Sequence, residues 1–305
     1  MELRSLEIFV AVAEENSFTR AAERCRVSQP TVSHHISGLE KEVGEPLFDR
    51  DRRTVSLSDG GHTLLPYARA CLASARDAGE AFANRSRAIA GALNLGTVEG
   101  VEWSPLPGVL RQFHDRHPAV RVRLQSGTTA PLLAQVAQGQ LDAAITARPL
   151  DDLPHGLLSK VILADEIMAL VGRDTQAAGE GLLDLAQVVD ERLITYDESS
   201  GLQAIIRRAF GRSGRELRPA FSTNDVPLQV ALAEAGIGVA LSAGSDPAVI
   251  SAAGVVPLRL DPPIVYEKIM VWQDRPLPSP LGAFMAVWDE LASDETWTAP
   301  SPRTS

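Results

Sequence analysis

Residues 28–40 read SQPTVSHHISGLE, and the organisation of the chain turns on them. Val32, Ile36, Leu39 and Val43 recur at helical spacing, so one side of this stretch faces a core. The other side carries Thr31, Ser33, His34, His35, Ser37 and Gly38, small polar groups and two imidazoles. Ser28 is placed to cap the helix, and Pro30 falls in the first turn, where its missing N–H has no intrahelical partner to lose. Gly44 is the expected stop.

Working outward, Leu3, Leu6, Phe9, Val10 and Ala13 predict a first amphipathic helix over residues 3–14. Asn16-Ser17 breaks it, and Ser17 caps a second helix over 19–25. Arg26-Val27-Ser28 leaves room only for a tight turn before the third. Two short helices joined by such a turn, the second with a polar outer face, form a helix-turn-helix, whose second helix enters the major groove. Ser28, Gln29, Pro30, Thr31, Ser33, His34, His35 and Ser37 are then the candidate DNA-reading residues, since hydroxyls and an amide suit base edges and phosphates. Beyond it, LFDRDRRTVSLS has the pattern of a small hairpin. Arg50, Arg52 and Arg53 in its turn suit phosphate; alone they would equally describe a solvated loop. The two histidines would make DNA affinity rise as pH falls from about 8 to 6, unless they are neutral surface groups.

The chain as a whole is acidic, with a formal net charge of -10 over 305 residues. That excludes one large nonspecific nucleic-acid surface and leaves room for a local basic face. No apolar run reaches the roughly 18 residues of a membrane span, and MELRSLEIFVAVAEENSF lacks a basic leader. A cytosolic chain without membrane contact is expected. Cys25 and Cys71 are too few and too far apart for a disulfide framework or a metal site. No cofactor motif stands in a supporting context, and Asp142, His155 and Asp165 are not spaced as a catalytic constellation. No enzyme is expected.

The run SFTRAAERCRVSQPTVSHHISGLEKEVGEPLFDR, with VSLSDGGHTLLPYAR after it, resembles the DNA-binding segment of LysR-type transcriptional regulators. Ser17-Phe18, Ala21-Ala22, Val27 to Pro30, Ser33, Ile36, Leu39-Glu40, Gly44, Leu47-Phe48 and Arg50 carry the resemblance over about sixty residues. One departure is charge. The family places basic residues where His34 and Gly38 stand, and residues 1–60 hold eight Lys and Arg against eleven Asp and Glu. The phosphate grip is therefore expected from the hairpin arginines and from Arg24 or Arg26.

From Ser58 to about residue 90, Leu65, Ala68, Leu72, Ala75, Gly79, Phe82, Ser86 and Ile89 alternate at three and four residues, a heptad seam. It predicts either a pairing helix or a helix lying on its own domain. The resemblance implies a linker helix that forms a homodimer, assembly to a homotetramer on bent duplex DNA, and contact with RNA polymerase.

After residue 91, strands and helices alternate, which predicts βαβ units and a parallel sheet. The chain should pass into a second lobe near Ala164-Asp165 and return near Glu267. The fold class is α/β: a winged helix-turn-helix over 1–58, a linker helix over 59–90, and a two-lobed, periplasmic-binding-protein-like effector domain over 91–305. Lobe I takes 91–163 and 268–295, lobe II 164–267, with a tail after 295. Ligands in open α/β sheets sit outside the carboxyl ends of strands. The candidate effector residues are therefore Thr97, Glu99, Gly127, Thr128, Thr129, Thr146, Ser199, Ser200 and Asn224. Thr128-Thr129 and Ser199-Ser200 stand at helix starts, where they either hold an anion or act as simple caps. Small carboxylates are common effectors of the family that the chain resembles. Glu99 and Glu102 favour an amine, so an amino acid fits both, unless the two carboxylates point to water. Trp103 would stack a ring or pack in the core. A solute-binding protein or an enzyme using the α/β part are the alternatives.

Overall fold

The computed structural model describes residues 1–49, 55–83, 89–101, 104–175, 181–188 and 191–293. Contacts divide the chain into a unit of residues 1–87 with 138–140 and a unit made of the rest.

In the first unit, α1 spans Leu3–Glu15 and stops at Asn16, which turns left-handed at φ 48°. Ser17 accepts from the Arg20 N–H at 3.3 Å and opens α2, Phe18–Cys25. Arg26, also left-handed at φ 56°, makes the turn. Ser28 then accepts from the Thr31 N–H at 3.3 Å and starts α3, Gln29–Val43, which ends at Gly44 with φ 89°. A serine cap of this kind contributes about 1 kcal/mol to the helix it starts. Leu6, Ile8, Phe9 and Val12 of α1 bury against Ala21, Val32, Ile36 and Leu39. Phe48 closes the cluster, its ring 5.5 Å from Phe9 and 5.6 Å from Phe18. The hairpin is present: β1, Phe48–Asp49, pairs antiparallel with β2, Ser56–Leu57. The turn holding Arg50, Arg52 and Arg53 lies outside the described residues.

The linker helix α4 spans Asp59–Ala83 and carries Pro66 inside it. Ser58 accepts from the Gly61 N–H at 3.1 Å. A Cβ on Gly61 would lie 2.1 Å from the Leu47 carbonyl oxygen, so only glycine lets this turn meet the hairpin. The expected seam is partly redirected. Ala68 is buried in the helix-turn-helix core, and Leu65 and Leu72 pack on the same core, so these three face their own chain. Ile89 packs on the core of lobe I in the second unit. The outward face of α4 instead carries Tyr67, 68% exposed, with Cys71 and Ser74.

In the second unit the strand order is β4-β3-β5-β12-β6-β10-β8-β9. Lobe I holds β3 (Gly91–Thr97), α5 (Leu106–Arg116), β4 (Val120–Ser126), α6 (Thr129–Ala137) and β5 (Ala143–Ala147). Lobe II holds β7 (Leu182–Asp184), α7 (Leu185–Val188), β8 (Leu193–Thr195), α8 (Gly201–Arg212), β9 (Pro219–Ser222), α9 (Val226–Glu234), β10 (Val239–Ala243), α10 (Pro247–Ser251) and β11 (Val255–Asp261). Two long strands, β6 (Leu157–Gly172) and β12 (Ile264–Gln273), run antiparallel through both lobes, and α11 (Ser279–Ser293) returns onto lobe I. Ala164 pairs with Glu267 within the long ladder of β6 and β12. The sheet is mixed rather than wholly parallel. The parallel sets β4-β3-β5 and β10-β8-β9 flank the antiparallel pair of β12 and β6. Each lobe has its own core, around Phe113, Phe284 and Trp288 in lobe I and around Leu170, Ile206 and Phe210 in lobe II. Among the described residues no helix is long and apolar enough to cross a membrane.

Candidate functional site

On α3 the exposed residues are Gln29, Pro30, His34, Ser37, Gly38, Lys41 and Glu42, and all but Glu42, which pairs with the N-terminus, form a stripe opposite the buried Val32, Ile36 and Leu39. Thr31 and Ser33 border it half-buried. The Ser28 and Thr31 hydroxyls pair at 2.8 Å, and the Gln29 amide donates to Ser33 at 3.1 Å, which holds these short side chains in place. Donors and acceptors fixed at the N-terminal end of such a helix match base edges and phosphates. His35 departs from expectation: it is half-buried and pairs with the Ser5 hydroxyl of α1 at 2.9 Å, so it belongs to the α1–α3 joint. Arg24 is held by Glu14 at 2.7 Å and Glu15 at 3.3 Å, and the Glu14 carboxylate raises its pKa further. Its charge is therefore largely compensated within the chain. Arg26 is exposed.

In the second unit a cavity of about 240 Å³ opens at the carboxyl ends of the strands, between the lobes. Helix α6 of lobe I and α8 of lobe II both start there. Thr128 accepts from the Leu132 N–H through its carbonyl and so begins α6. Thr129 is 6% exposed, and its hydroxyl has no hydrogen-bond partner. The other helices starting at this rim are capped by side chains: α8 by Ser200, α9 by Asp225 and α10 by Asp246. A buried unpaired hydroxyl is costly in isolation, and here it stands in the first turn of α6, where the Thr129 and Ala130 N–H groups have no acceptor within the helix. Gly201 lets α8 come close, since a Cβ there would meet the Thr129 hydroxyl at 2.6 Å.

The same cavity is lined by a denser polar group. Lys268 is 4% exposed and donates to the Gly100 carbonyl. Asp246 is 8% exposed, and one of its oxygens caps α10 by accepting from Ala248 at 2.9 Å. Tyr196 accepts from the Ala243 N–H at 2.9 Å, and burial pushes its phenol well above the usual range, with Asp246, Asp165 and Glu99 adding to the shift. Tyr266 donates to Asp165 at 2.6 Å, and its phenol is likewise raised by burial first and by Asp165 second. Both phenols are therefore neutral at pH 7. Asp197 behaves oppositely: the Ser199 hydroxyl, its N–H and the Asn224 amide hold this carboxyl below the ordinary range.

Six of the nine residues expected from sequence line the cavity: Glu99, Gly127, Thr128, Thr129, Ser200 and Asn224. Thr97, Thr146 and Ser199 do not. Thr97 and Thr146 are buried, and in each case the next residue, Val98 or Ala147, reaches the wall instead. Strand side chains alternate, so an error of one residue inverts the face. Ser199 is occupied with Asp197. Tyr196, Asp246, Tyr266 and Lys268 were missed. Glu102 and Trp103 lie outside the described residues. Asp142 accepts from the Asn94 backbone at 2.7 Å and is structural, Asp165 joins Tyr266, and His155 is exposed elsewhere. Among the described residues no group of His, Cys, Asp and Glu could hold a metal.

Comparison with known proteins agrees in both units. Residues 3–62 match the family described as bacterial regulatory helix-turn-helix protein, lysR family, and residues 86–293 match the LysR substrate binding domain. The transcriptional regulator ShiR of Corynebacterium glutamicum is 32% identical over 247 residues, covering 79% of this chain and 82% of its own. IlvR of Caulobacter vibrioides is 30% identical over 299 residues, covering 95% and 98%. Among solved structures, a full-length variant of OxyR from Pseudomonas aeruginosa superposes with a TM-score of 0.74 at 22% identity, covering 100% of this chain and 99% of that one. Full-length CbnR complexed with its target DNA superposes with a TM-score of 0.61 at 23% identity over 95% and 99%. These structures agree with the fold, and the sequence matches establish kinship with regulators rather than enzymes: the chain belongs to the LysR family of DNA-binding transcriptional regulators.

Proposed function

We propose that this regulator reads duplex DNA through the outer stripe of α3 and senses a small molecule with a carboxylate, an organic acid or an amino acid, in the cavity of the second unit. The observation that carries the effector site is the Thr129 hydroxyl, buried without a partner at the start of α6. A carboxylate there would accept from that hydroxyl and from the first N–H groups of α6, where the helix dipole favours negative charge. Gln29, Pro30, Ser33, His34 and Ser37 supply the base and phosphate contacts, and Arg50, Arg52 and Arg53 the phosphate grip. The outward face of α4 pairs two chains, so that two copies of α3 reach half-sites about one helical turn apart or a multiple of it. Tetramer assembly, contact with RNA polymerase and a cytosolic location follow from the same reading. The effector acts only by its differential affinity for two arrangements of the regulator.

The experiment uses the full chain on an operator selected from random duplexes. Hydroxyl-radical footprinting is expected to show protection over two half-sites. Mass spectrometry of molecules released from the purified protein is expected to yield an acid that changes the footprint. Thr128→Ala should leave DNA affinity within about twofold while blunting that change; equal loss of both would displace the effector site from this cavity.

A further inference from the structure

We infer that the effector is a monocarboxylate whose other end carries a neutral oxygen, a hydroxyl or a carbonyl, and not a second carboxylate or an ammonium group. This rests on the carboxylate reading of the α6 end and concerns the second polar group that lines the same cavity.

Three observations meet there. First, Tyr196 lines the cavity at 4% exposure, and its oxygen already accepts from the Ala243 N–H at 2.9 Å. A neutral phenol also has a hydrogen to donate. Among the described residues that hydrogen has no protein acceptor, whereas the Tyr266 hydroxyl is satisfied by Asp165. Tyr196, which lines the cavity, can therefore donate to a lone pair there. An ammonium group has none.

Second, the charge of this group comes in opposite signs. A Cβ on Gly100 would lie 3.2 Å from an Asp246 oxygen and 3.5 Å from the Lys268 ammonium, so both charges crowd one point. Both are nearly buried, a state that opposite charges sustain only by offsetting one another. A second ligand carboxylate would meet two acids, Asp246 and Glu99, against the one ammonium of Lys268. A ligand ammonium would meet Lys268 as well as the acids and would offer Tyr196 no lone pair. A neutral hydroxyl accepts from Lys268 or Tyr196 and donates to Asp246 without adding charge.

Third, much of the remaining wall is apolar: Val98, Ala147, Leu202, Val226 and Ala243. It suits a short carbon skeleton. The cavity of about 240 Å³ has the liquid volume of about eight water molecules, enough for one ring with its substituents.

The test is calorimetric titration of the full-length protein with four probes on one skeleton. They are cyclohexanecarboxylate and its trans-4-hydroxy, trans-4-amino and trans-4-carboxylate derivatives. The hydroxy acid is expected to bind about fivefold tighter than the parent, the worth of one neutral hydrogen bond. The amino acid and the diacid should bind more weakly than the parent. In Tyr196→Phe the advantage of the hydroxyl should collapse towards unity. Thr129→Val should weaken the parent and the hydroxy acid alike, which tests the α6 end separately. A hydroxy acid no tighter than the parent, or outranked by the amino acid or the diacid, overturns the inference while leaving the α6 end standing. No binding of any probe at about 10 mM overturns the carboxylate reading itself. The ranking in the unaltered protein decides the matter even if Tyr196→Phe folds poorly.

Discussion

Asp197 shows how one side chain ties a loop to the cavity wall. Its carboxylate accepts from the Ser199 N–H at 2.8 Å, from the Ser199 hydroxyl, and from the Asn224 amide at 2.7 Å. These donors favour the charged form and depress its pKa, with the Ser199 hydroxyl first. The sign follows. A carboxyl whose folded pKa lies below its unfolded value near 3.9 contributes stability above about pH 4, and loses it as pH falls through the depressed value. Carbon-detected NMR should find Asp197 titrating below the unfolded reference, and Ser199→Ala should move it back up. The pairing of Asp197 with Asn224, 27 residues on, has no signature in sequence. Thr128 and Ser200 did, because each opens a helix at the end of a strand. Thr97 and Thr146 misled because only the packed sheet sets which strand residue faces the crevice.

Helix α4 divides its apolar residues between two tasks. The heptad spacing of Leu65, Ala68, Leu72 and Ala75 is real, but the helix-turn-helix core takes the first three. Periodicity reports that a face is buried without naming the partner. Ala68→Leu should overpack that core and lower the unfolding free energy by about 1–3 kcal/mol, measurable by chemical denaturation. Tyr67→Ala, on the outward face, should leave that stability nearly unchanged and weaken self-association in sedimentation experiments. The reverse pattern would return pairing to the first seam. Strand β6 gives a second case. Its half from Ile167 to Val171 is continuously apolar and readable, while Leu157 to Ile162 is interrupted by Ser159-Lys160 and lies in a strand paired with β12.

For the molecule as a whole, the net charge of -10 means that DNA is held by local chemistry, not by a general basic surface. Arg24 is paired with Glu14 and Glu15, which leaves more of the phosphate grip to the hairpin arginines. Arg50→Ala should therefore weaken binding on all sequences alike and reduce the salt slope by about 1. An unchanged slope in fluorescence anisotropy would remove the hairpin from the interface. Caps, stops and apolar periodicity sufficed for the three N-terminal helices and the pairing of the short strands after them, because each rests on neighbours close along the chain. The second polar group of the cavity could not be read in that way. Tyr196 follows β8, Asp246 caps α10, and Tyr266 and Lys268 share β12, whose antiparallel register sets Lys268 beside Ala147. A register between strands more than a hundred residues apart depends on how both lobe cores pack, and no local pattern encodes it.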